Sequence, residues 1–452
     1  MTAIQPRPKN ITLTIITIAL PITLQNMAFY LQSFINTAFI GHYRVEGLAA
    51  INNAMIPFFM LFSFFVALSQ GTTVLIAQSL GANDPQKAGR VAECSLFYNQ
   101  LMSFGYLLFW YGAGPVVLSV MGARGAVLAM GGSYIQVMSF VYVTLGCSIT
   151  AAAIFQGVGT TLPIMITTLI RVGCNILFDY LFIFGKLGFP EFGVTGAAVA
   201  TVISTTLSNI MLLIWVMRSG VLPVRWYGVL RPVKGIYPKV FAFGAQTGGE
   251  FLLWTGAQVV MVRMLNHFNE LGAGMYGILN TMLGLSVNLY WGIGVAATTL
   301  VGRATGATDY REAFRTGNIC ALYSILLCCM VGMVYLFLPG RLLSIFTADR
   351  GFTATLLPLL PVVALVSFPK AINVVIGNAI RGTGDVRWML FTQSAGTIII
   401  IVFSSWLLFG RHLGVAALVW ANFGDEGWRA VVNYSRFYIK GINKINTTAV
   451  TD

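Results

Sequence analysis

Long apolar stretches recur along the whole sequence, separated by short polar segments. Each is longer than the roughly 20 residues that a helix needs to cross a hydrocarbon core of about 30 Å. They are too long for barrel strands and lack the alternation of such strands. Because a helix satisfies its own backbone hydrogen bonds in lipid, we predict an all-α polytopic membrane protein. Its twelve predicted transmembrane helices are 11–38, 48–78, 91–119, 130–155, 162–184, 194–217, 238–263, 272–302, 316–338, 352–380, 388–409 and 414–435.

The composition agrees with a membrane protein. Of the 452 residues, 57% are hydrophobic and 9% are charged, whereas soluble domains contain about 25% charged residues. The 6 cysteines all fall within predicted helices, and their spacing does not match a metal site. We therefore expect membrane lipid as a partner, and neither a bound metal nor another cofactor.

The net charge of +13 comes from basic residues scattered through short loops. Since they form no long basic arm, we do not expect nucleic acid as a partner. With the N-terminus placed inside, 17 of the 27 Lys and Arg residues lie on the cytoplasmic side. The positive-inside rule then predicts a multi-pass protein of the cell (inner) membrane with both termini in the cytoplasm.

The sequence repeats itself at an offset of 225 residues. TTVLIAQSLGANDPQKA (72–88) aligns with ATTLVGRATGATDYREA (297–313), and GVGT (157–160) aligns with GTGD (382–385). Two matches at one offset predict duplicated lobes of six helices, and an even number of helices gives the lobes parallel orientation in the membrane. We expect an N-terminal lobe at 1–217, a cytoplasmic linker at 218–237, and a C-terminal lobe with a short tail at 238–452.

A series of short motifs extends over nearly the whole chain. They are Leu20-Pro21, Gln78-x-x-Gly81-Ala82, QGVGTTLP (156–163), Asn175-x-x-x-Asp179-Tyr180 before FIFG (182–185), GVTGAAVAT (193–201), Glu250, VGRATGATD (301–309) and IRGTGD (380–385). In order and spacing they resemble the multidrug and toxic compound extrusion (MATE) transporters. The resemblance implies a V-shaped pair of six-helix lobes, cation-driven antiport, and organic, often cationic, substrates.

Two positions depart from the pattern of that family. The chain has Ile35-Asn36-Thr37 where the family often carries an aspartate in the first helix. It has Lys370 where sodium-using members tend to carry an aspartate in the tenth helix. Because a lysine repels sodium, we expect H+ as the coupling ion, with Na+ as the alternative.

Charged groups at membrane depth are candidates for function, because each costs about 2.5–3.5 kcal/mol on insertion scales. Of the 14 acidic residues, only Asp179 and Glu250 lie well inside predicted helices. Asp179 follows Asn175 by one turn and Arg171 by two turns, so the three share one helix face. We interpret Asp179 as a carboxylate that takes up a proton or another cation, tuned by Arg171. A static charge network is the alternative.

Glu250 lies on a polar and aromatic stripe of the seventh predicted helix. The other members of this stripe are Gln246, Trp254 and Gln258. At the 225-residue offset the counterpart of Glu250 is Gln25, which begins a stripe of the first helix that continues with Phe29, Gln32 and Asn36. Since neither stripe should face lipid, both are predicted to line a substrate cavity, with Glu250 as the principal coupling carboxylate.

Lys370 is the predicted partner of Glu250, because an unpaired buried charge is far costlier than a paired one. Binding of an anionic substrate by Lys370 is the alternative. Nearby amides that offer further hydrogen bonds or line the cavity are Asn280, Asn288, Asn373 and Asn378. Asp425 and Glu426, in the more polar last helix, receive no role.

These features favour a secondary transporter that exports a small organic molecule, as in multidrug efflux and antibiotic resistance. The sequence has no G-x-x-x-x-G-K-[ST] segment for nucleotide hydrolysis, no enzyme-like metal or nucleophile motif, and no channel filter. We therefore do not expect an enzyme, and we expect a monomer. A flippase of a lipid-linked precursor stays the alternative, although such a protein should carry more inward arginines.

Overall fold

A computed structural model describes residues 10–43, 45–268, 272–346 and 349–451. Every regular element in these ranges is helical. The α-helices are α1 (Ile11–Tyr43), α2 (Val45–Leu68), α3 (Gln70–Gly81), α4 (Pro85–Val120), α5 (Gly125–Ser139), α6 (Tyr142–Val158), α7 (Leu162–Phe184), α8 (Val194–Ser219), α9 (Trp226–Leu230), α10 (Tyr237–Phe268), α11 (Gly272–Gly306), α12 (Tyr310–Phe337), α13 (Pro339–Phe346), α14 (Arg350–Leu356), α15 (Leu360–Thr383), α16 (Val386–Ser405) and α17 (Val415–Thr451). A 3-10 turn (Leu357–Leu359) precedes α15, and a π-helical turn (Trp406–Gly410) follows α16.

The helices that can cross a membrane are consistent in number with the prediction. Within the described ranges, nine helical segments are long and apolar enough to cross a membrane, and α5 with α6 forms a tenth if this bent pair is one span. The long helices α10 and α17 carry charged side chains in their middle parts, Glu250 and Asp425 among them. With these two helices the structure is consistent with twelve spans. The prediction of an all-α polytopic membrane protein is confirmed.

Three predicted spans are interrupted within the described ranges, and one of them is 352–380, which contains the 3-10 turn Leu357–Leu359. The span 48–78 breaks at Ser69, whose hydroxyl donates to the Val66 carbonyl at 2.7 Å. The span 130–155 is bent by 54° between α5 and α6, where the Phe140 N–H bonds the Val137 carbonyl at 3.1 Å. Hydrogen bonds to residue i−3 tighten a helix locally, and a serine that bonds its own helix backbone favours a bend. Apolar length alone does not reveal such interruptions.

Packing divides the described chain into two compact units. The first contains Leu24–Leu80 and Asp84–Ala245, and the second contains residues 10–23, 81–83 and 246–451. Both α1 and α10 therefore contribute residues to each unit. The predicted lobe boundaries follow the sequence repeat rather than packing, and the division at 1–217, 218–237 and 238–452 stays a prediction.

Each unit has its own hydrophobic core. In the first, the Phe58 ring lies 5.4 Å from that of Trp110 and 5.5 Å from that of Tyr142. In the second, apolar side chains of α11 pack with those of α15 and α17, among them Leu279 and Val363. These side chains are almost completely buried. Between helices in lipid, such packing stabilises through van der Waals contacts, because lipid tails are as apolar as the core itself.

The internal repeat is visible in the local backbone geometry. Asn83 and Thr308, which are 225 residues apart, have φ angles of 57° and 58°. Each precedes an aspartate that caps the next helix: Asp84 accepts from the Lys87 N–H at 2.8 Å, and Asp309 accepts from the Glu312 N–H at 3.0 Å. Left-handed backbone is uncommon for residues other than glycine. Its recurrence at the same offset supports the duplication predicted from the sequence.

Candidate functional site

A buried carboxylate lies in the C-terminal half of α7. The Asp179 side chain is 0% exposed, and the amides of Asn36 and Asn175 face it. With their NH2 groups turned towards the carboxylate, they donate to Asp179 Oδ2 at 2.7 and 3.1 Å. This orientation avoids placing two acceptors against each other. Asp179 Oδ1 has no hydrogen-bond partner among the residues that the structure describes.

Arg171 lies on the same face of α7, two turns before Asp179. Its guanidinium carbon is 3.9 Å from the centre of the Phe29 ring, and its Nη2 donates to Gln32 Oε1 at 3.4 Å. Gln32 in turn contacts the side-chain amide of Asn175. Arg171 thus belongs to the same cluster as Asp179 but reaches it through amides. The structure brings together the predicted site residues of α1 and α7.

A second buried carboxylate lies in α10. Glu250 is 5% exposed, and its Oε2 accepts a hydrogen bond from Arg381 Nη2 at the end of α15. Glu250 Oε1 has no partner within the described ranges. The predicted pair of Glu250 with Lys370 is therefore wrong. Lys370 precedes Arg381 by 11 residues, about 16 Å along α15 at 1.5 Å per residue, so these two cations lie at different depths.

Lys370 instead belongs to a buried network of α15, α16 and α17. Its Nζ donates to Glu426 Oε1 at 3.0 Å, and Asn373 Nδ2 donates to Glu426 Oε2 at 2.8 Å. Arg429 donates to Glu426 Oε1 at 3.0 Å and also to Asp425 Oδ2 and Gln393 Oε1. The side chain of Asn433 donates to Asn373 Oδ1 at 2.8 Å.

This network includes functional candidates to which the sequence analysis gives no role. Polar and charged residues recur at intervals of three or four positions along α17, namely Asn422, Asp425, Glu426, Arg429 and Asn433. Residues at such intervals lie on one face of a helix. That spacing is visible in the sequence, but apolar length alone does not mark the polar face of α17.

The predicted cavity-lining residues fall into different settings. Gln258 Oε1 accepts from the Tyr276 hydroxyl at 2.8 Å, and Gln258, Tyr276 and Asn280 line a cavity of about 290 Å³ with apolar side chains of α10 and α11. Gln246 and Trp254 are half-buried on α10, and Gln25 is half-buried on α1.

Two asparagines predicted near Lys370 hydrogen-bond their own helix backbone. Asn288 Nδ2 donates to the Gly284 carbonyl at 2.7 Å, and Asn378 Nδ2 donates to the Val374 carbonyl at 2.9 Å. Among the described residues, no three His, Cys, Asp or Glu side chains come together in a way that could hold a metal ion.

Comparison with known proteins identifies the family. The family model described as MatE matches residues 21–181 and again 247–407, so one model matches both halves of the repeat. The chain is 28% identical over 386 residues to a "Probable multidrug resistance protein NorM" of Thermotoga maritima, covering 82% of this chain and 80% of the relative. It is 23% identical to the "Uncharacterized transporter YisQ" of Bacillus subtilis, covering 95% of each.

A solved structure described as MATE in the straight conformation has the same fold. It superposes with a TM-score of 0.91 at 18% sequence identity, and the alignment covers 99% of each chain.

Proposed function

The chain belongs to the MatE family of multidrug and toxic compound extrusion transporters, and from this premise we propose that it exports small organic molecules, often cationic, in exchange for protons. It is an integral membrane protein, and members of this family are transporters rather than enzymes. We place it in the cell (inner) membrane with both termini in the cytoplasm, on the basis of the distribution of basic residues. The NorM relatives carry the description "multidrug resistance protein".

One observation carries the proposal: each unit holds a buried carboxylate that has one unengaged oxygen. These atoms are Asp179 Oδ1 and Glu250 Oε1. A carboxylate of this kind has room for a proton, and when ionised it attracts an organic cation. Proton and substrate then compete for the same negative charge. By linkage, each weakens the binding of the other, which is the thermodynamic requirement for antiport.

Glu250 is the principal coupling carboxylate in this proposal, and Asp179 is the second. Protonation of Glu250 removes the attraction that holds Arg381 against it, so the proton changes a contact between α10 and α15. Protonation of Asp179 changes the charge of a cluster that includes Arg171. Gln25, the repeat counterpart of Glu250, is neutral and does not provide a third group of this type.

The surroundings of Glu250 favour protons over sodium. A sodium ion requires several oxygen ligands, whereas Glu250 faces the guanidinium of Arg381. Lys370 adds a further positive charge to the second unit. Donors and cations repel a metal ion but accommodate a carboxylate that alternates between ionised and protonated forms.

The open cavity next to Gln258, Tyr276 and Asn280 is the candidate contact site for an organic substrate. Its other lining residues are Val259, Val262, Ala273 and Gly277. A mainly apolar cavity with a few hydrogen-bonding groups is typical of sites for small organic ligands. We therefore propose that this cavity contacts the apolar part of the substrate in the second unit.

Transport of tetraphenylphosphonium and of a panel of other organic cations in proteoliposomes tests the proposal. We expect a pH gradient to drive transport, and a sodium gradient to drive none once an ionophore has collapsed the pH gradient. Equal transport under the two gradients would exclude proton coupling as the main mode. If no organic cation moves and a fluorescent lipid-linked sugar does, the flippase alternative is correct.

A further inference from the structure

Two adjacent carboxylates of α17 have different hydrogen-bond partners. Glu426 accepts from Lys370 Nζ, Asn373 Nδ2 and Arg429 Nη2, at 3.0, 2.8 and 3.0 Å. Asp425 accepts from Arg429 alone, through Oδ2. Its Oδ1 has no partner among the described residues, although the side chain is only 2% exposed.

The charges of this network balance when every group is ionised. Lys370 and Arg429 carry two positive charges, and Asp425 and Glu426 carry two negative charges. Three donors hold Glu426 as an anion, whereas Asp425 shares its single donor with Glu426. An unengaged anionic oxygen in a buried site is costly, and a proton on that oxygen removes its negative charge. Neighbouring carboxylates in unlike settings commonly divide into one that stays ionised and one that exchanges a proton.

The backbone of α16 borders the unengaged oxygen. A side chain added at Gly396 would collide with Asp425 Oδ1, and it would lie 3.0 Å from Arg429 Cδ. Because residue 396 is a glycine, Asp425 Oδ1 can occupy this space. A hydrogen atom on Oδ1 fits into such a space more easily than a methyl group does.

We propose that Asp425 is a proton-exchange site of the second unit and carries a coupling proton in addition to those of Glu250 and Asp179. The proton comes from water and bonds to Oδ1, which converts the carboxylate to a carboxylic acid. The charge of the network then rises from zero to +1, and Arg429 remains bound to Glu426. The role of Asp425 in transport rests on the proposed proton antiport.

Several other groups influence this exchange. The charged or titratable side chains of the elements packed around Asp425 are Lys370 and Arg381 of α15, Tyr290 of α11, Glu250 of α10, and Glu426 and Arg429 of α17 itself. Glu250 lies within electrostatic reach of Arg429. A proton on Asp425 therefore changes the field at Glu250, so the two carboxyl groups should influence each other's protonation.

Infrared difference spectroscopy of the full chain in lipid, without substrate, tests whether Asp425 takes up a proton. Between about pH 8 and about pH 5, a range in which proteins generally keep their fold, the wild type should gain carboxylic acid C=O bands. Asp425→Asn should lose one of these bands. Asp425→Glu should shift that band rather than remove it. Identical spectra for wild type and Asp425→Asn would overturn the proposal.

The transport role is tested by the number of protons exchanged per tetraphenylphosphonium exported. Asp425→Asn should exchange one fewer proton than the wild type, whereas Asp425→Glu should restore the number. An unchanged number in Asp425→Asn would show that Asp425 does not take part. If Asp425→Asn does not fold, Asp425→Glu still decides, because an unshifted infrared band would exclude Asp425 as its source. If the wild type does not transport but still shows the infrared C=O band of Asp425, the result counts against proton antiport and not against protonation of Asp425.

Discussion

Arg381 Nη2 donates a hydrogen bond to Glu250 Oε2 in the interior of the second unit. Both side chains are largely buried, 16% and 6% exposed respectively. Removal of one member of such a pair leaves a buried charge uncompensated, at a cost of about 3–5 kcal/mol, whereas removal of both often costs little. Comparison of single and double variants of the pair therefore separates the contribution of Glu250 to stability from its role in proton coupling.

We predict that Glu250→Gln abolishes proton-driven export and also lowers stability, because it leaves the Arg381 charge without its partner. The double change Glu250→Gln with Arg381→Met should recover stability without recovering export. Thermal unfolding and efflux after a pH jump, measured on the two single variants and the double variant, check this. Full export by Glu250→Gln would refute the coupling role. Independent, additive stability losses would refute the pair.

A second double-mutant cycle concerns Lys370. Because Lys370 bonds Glu426 and not Glu250, Lys370→Met and Glu250→Gln should have additive effects on unfolding, within about 0.5 kcal/mol. Lys370→Met and Glu426→Gln should instead show a coupling energy of about 0.5–3 kcal/mol, as neighbours in one network do. Chemical unfolding of the six relevant proteins in one detergent provides the comparison. Strong coupling between positions 250 and 370 would contradict the observed pairing.

Much of the fold follows from the sequence because lipid requires long apolar helices. The repeat also follows from the sequence, because the segments 72–88 and 297–313 match at the 225-residue offset. In the structure, Asn83 and Thr308 of these segments have the same unusual backbone conformation. The helix interruptions at Ser69 and at Phe140 are not readable, because they depend on local hydrogen bonds that apolar length does not specify.

The candidate site, too, is predicted from the sequence only in part. Arg171, Asn175 and Asp179 are found by spacing on one helix, and α1 supplies the amides that the stripe of polar residues predicts. The partner of Glu250 is not found, because Arg381 falls just after the apolar run and reads as a loop residue. In the structure α15 extends to Thr383, so Arg381 lies within its last turn.

In the first unit, we predict that Asp179→Asn reduces proton-driven export, with an effect on folding smaller than that of Glu250→Gln. Asp179 is surrounded by amides rather than by a direct ion pair, so no cation loses its only partner. Arg171→Met is the matched comparison, since Arg171 contacts Phe29 and Gln32; it should keep proton coupling. Export by Asp179→Asn at the wild-type rate over the whole pH range would exclude the carboxylate from coupling.

The expected orientation in the membrane is tested with single cysteines in a cysteine-free background. Gln86 begins α4 and Lys186 follows α7, and both side chains are exposed. If the loop before α4 is cytoplasmic, an impermeant thiol reagent should label Lys186→Cys in intact cells and should label Gln86→Cys only after permeabilisation. Labelling of position 86, but not 186, from outside would invert the proposed topology.

Two glycines of α10 provide a matched test of packing. A side-chain carbon at Gly244 would collide with the Leu68 carbonyl and Cα atoms, whereas at Gly256 it would meet no atom within 4 Å. We predict that Gly244→Ala lowers the free energy of unfolding by about 1–3 kcal/mol, the usual cost of overpacking. Gly256→Ala should leave stability unchanged or raise it by up to about 1 kcal/mol, because alanine favours a helix.

Thermal melts of the two alanine variants measure the difference directly. Both substitutions add one methyl group to the same helix, so general effects of the detergent and of helix propensity are shared. The expected order of melting temperature is Gly256→Ala at or above the wild type and Gly244→Ala below it. Equal melting temperatures for the two variants would show that α10 does not approach Leu68 as closely as the structure indicates. A loss in Gly244→Ala alone would support that close approach, since Gly244 is buried against Leu68, whereas Gly256 is exposed and has no atom within 4 Å of the added carbon.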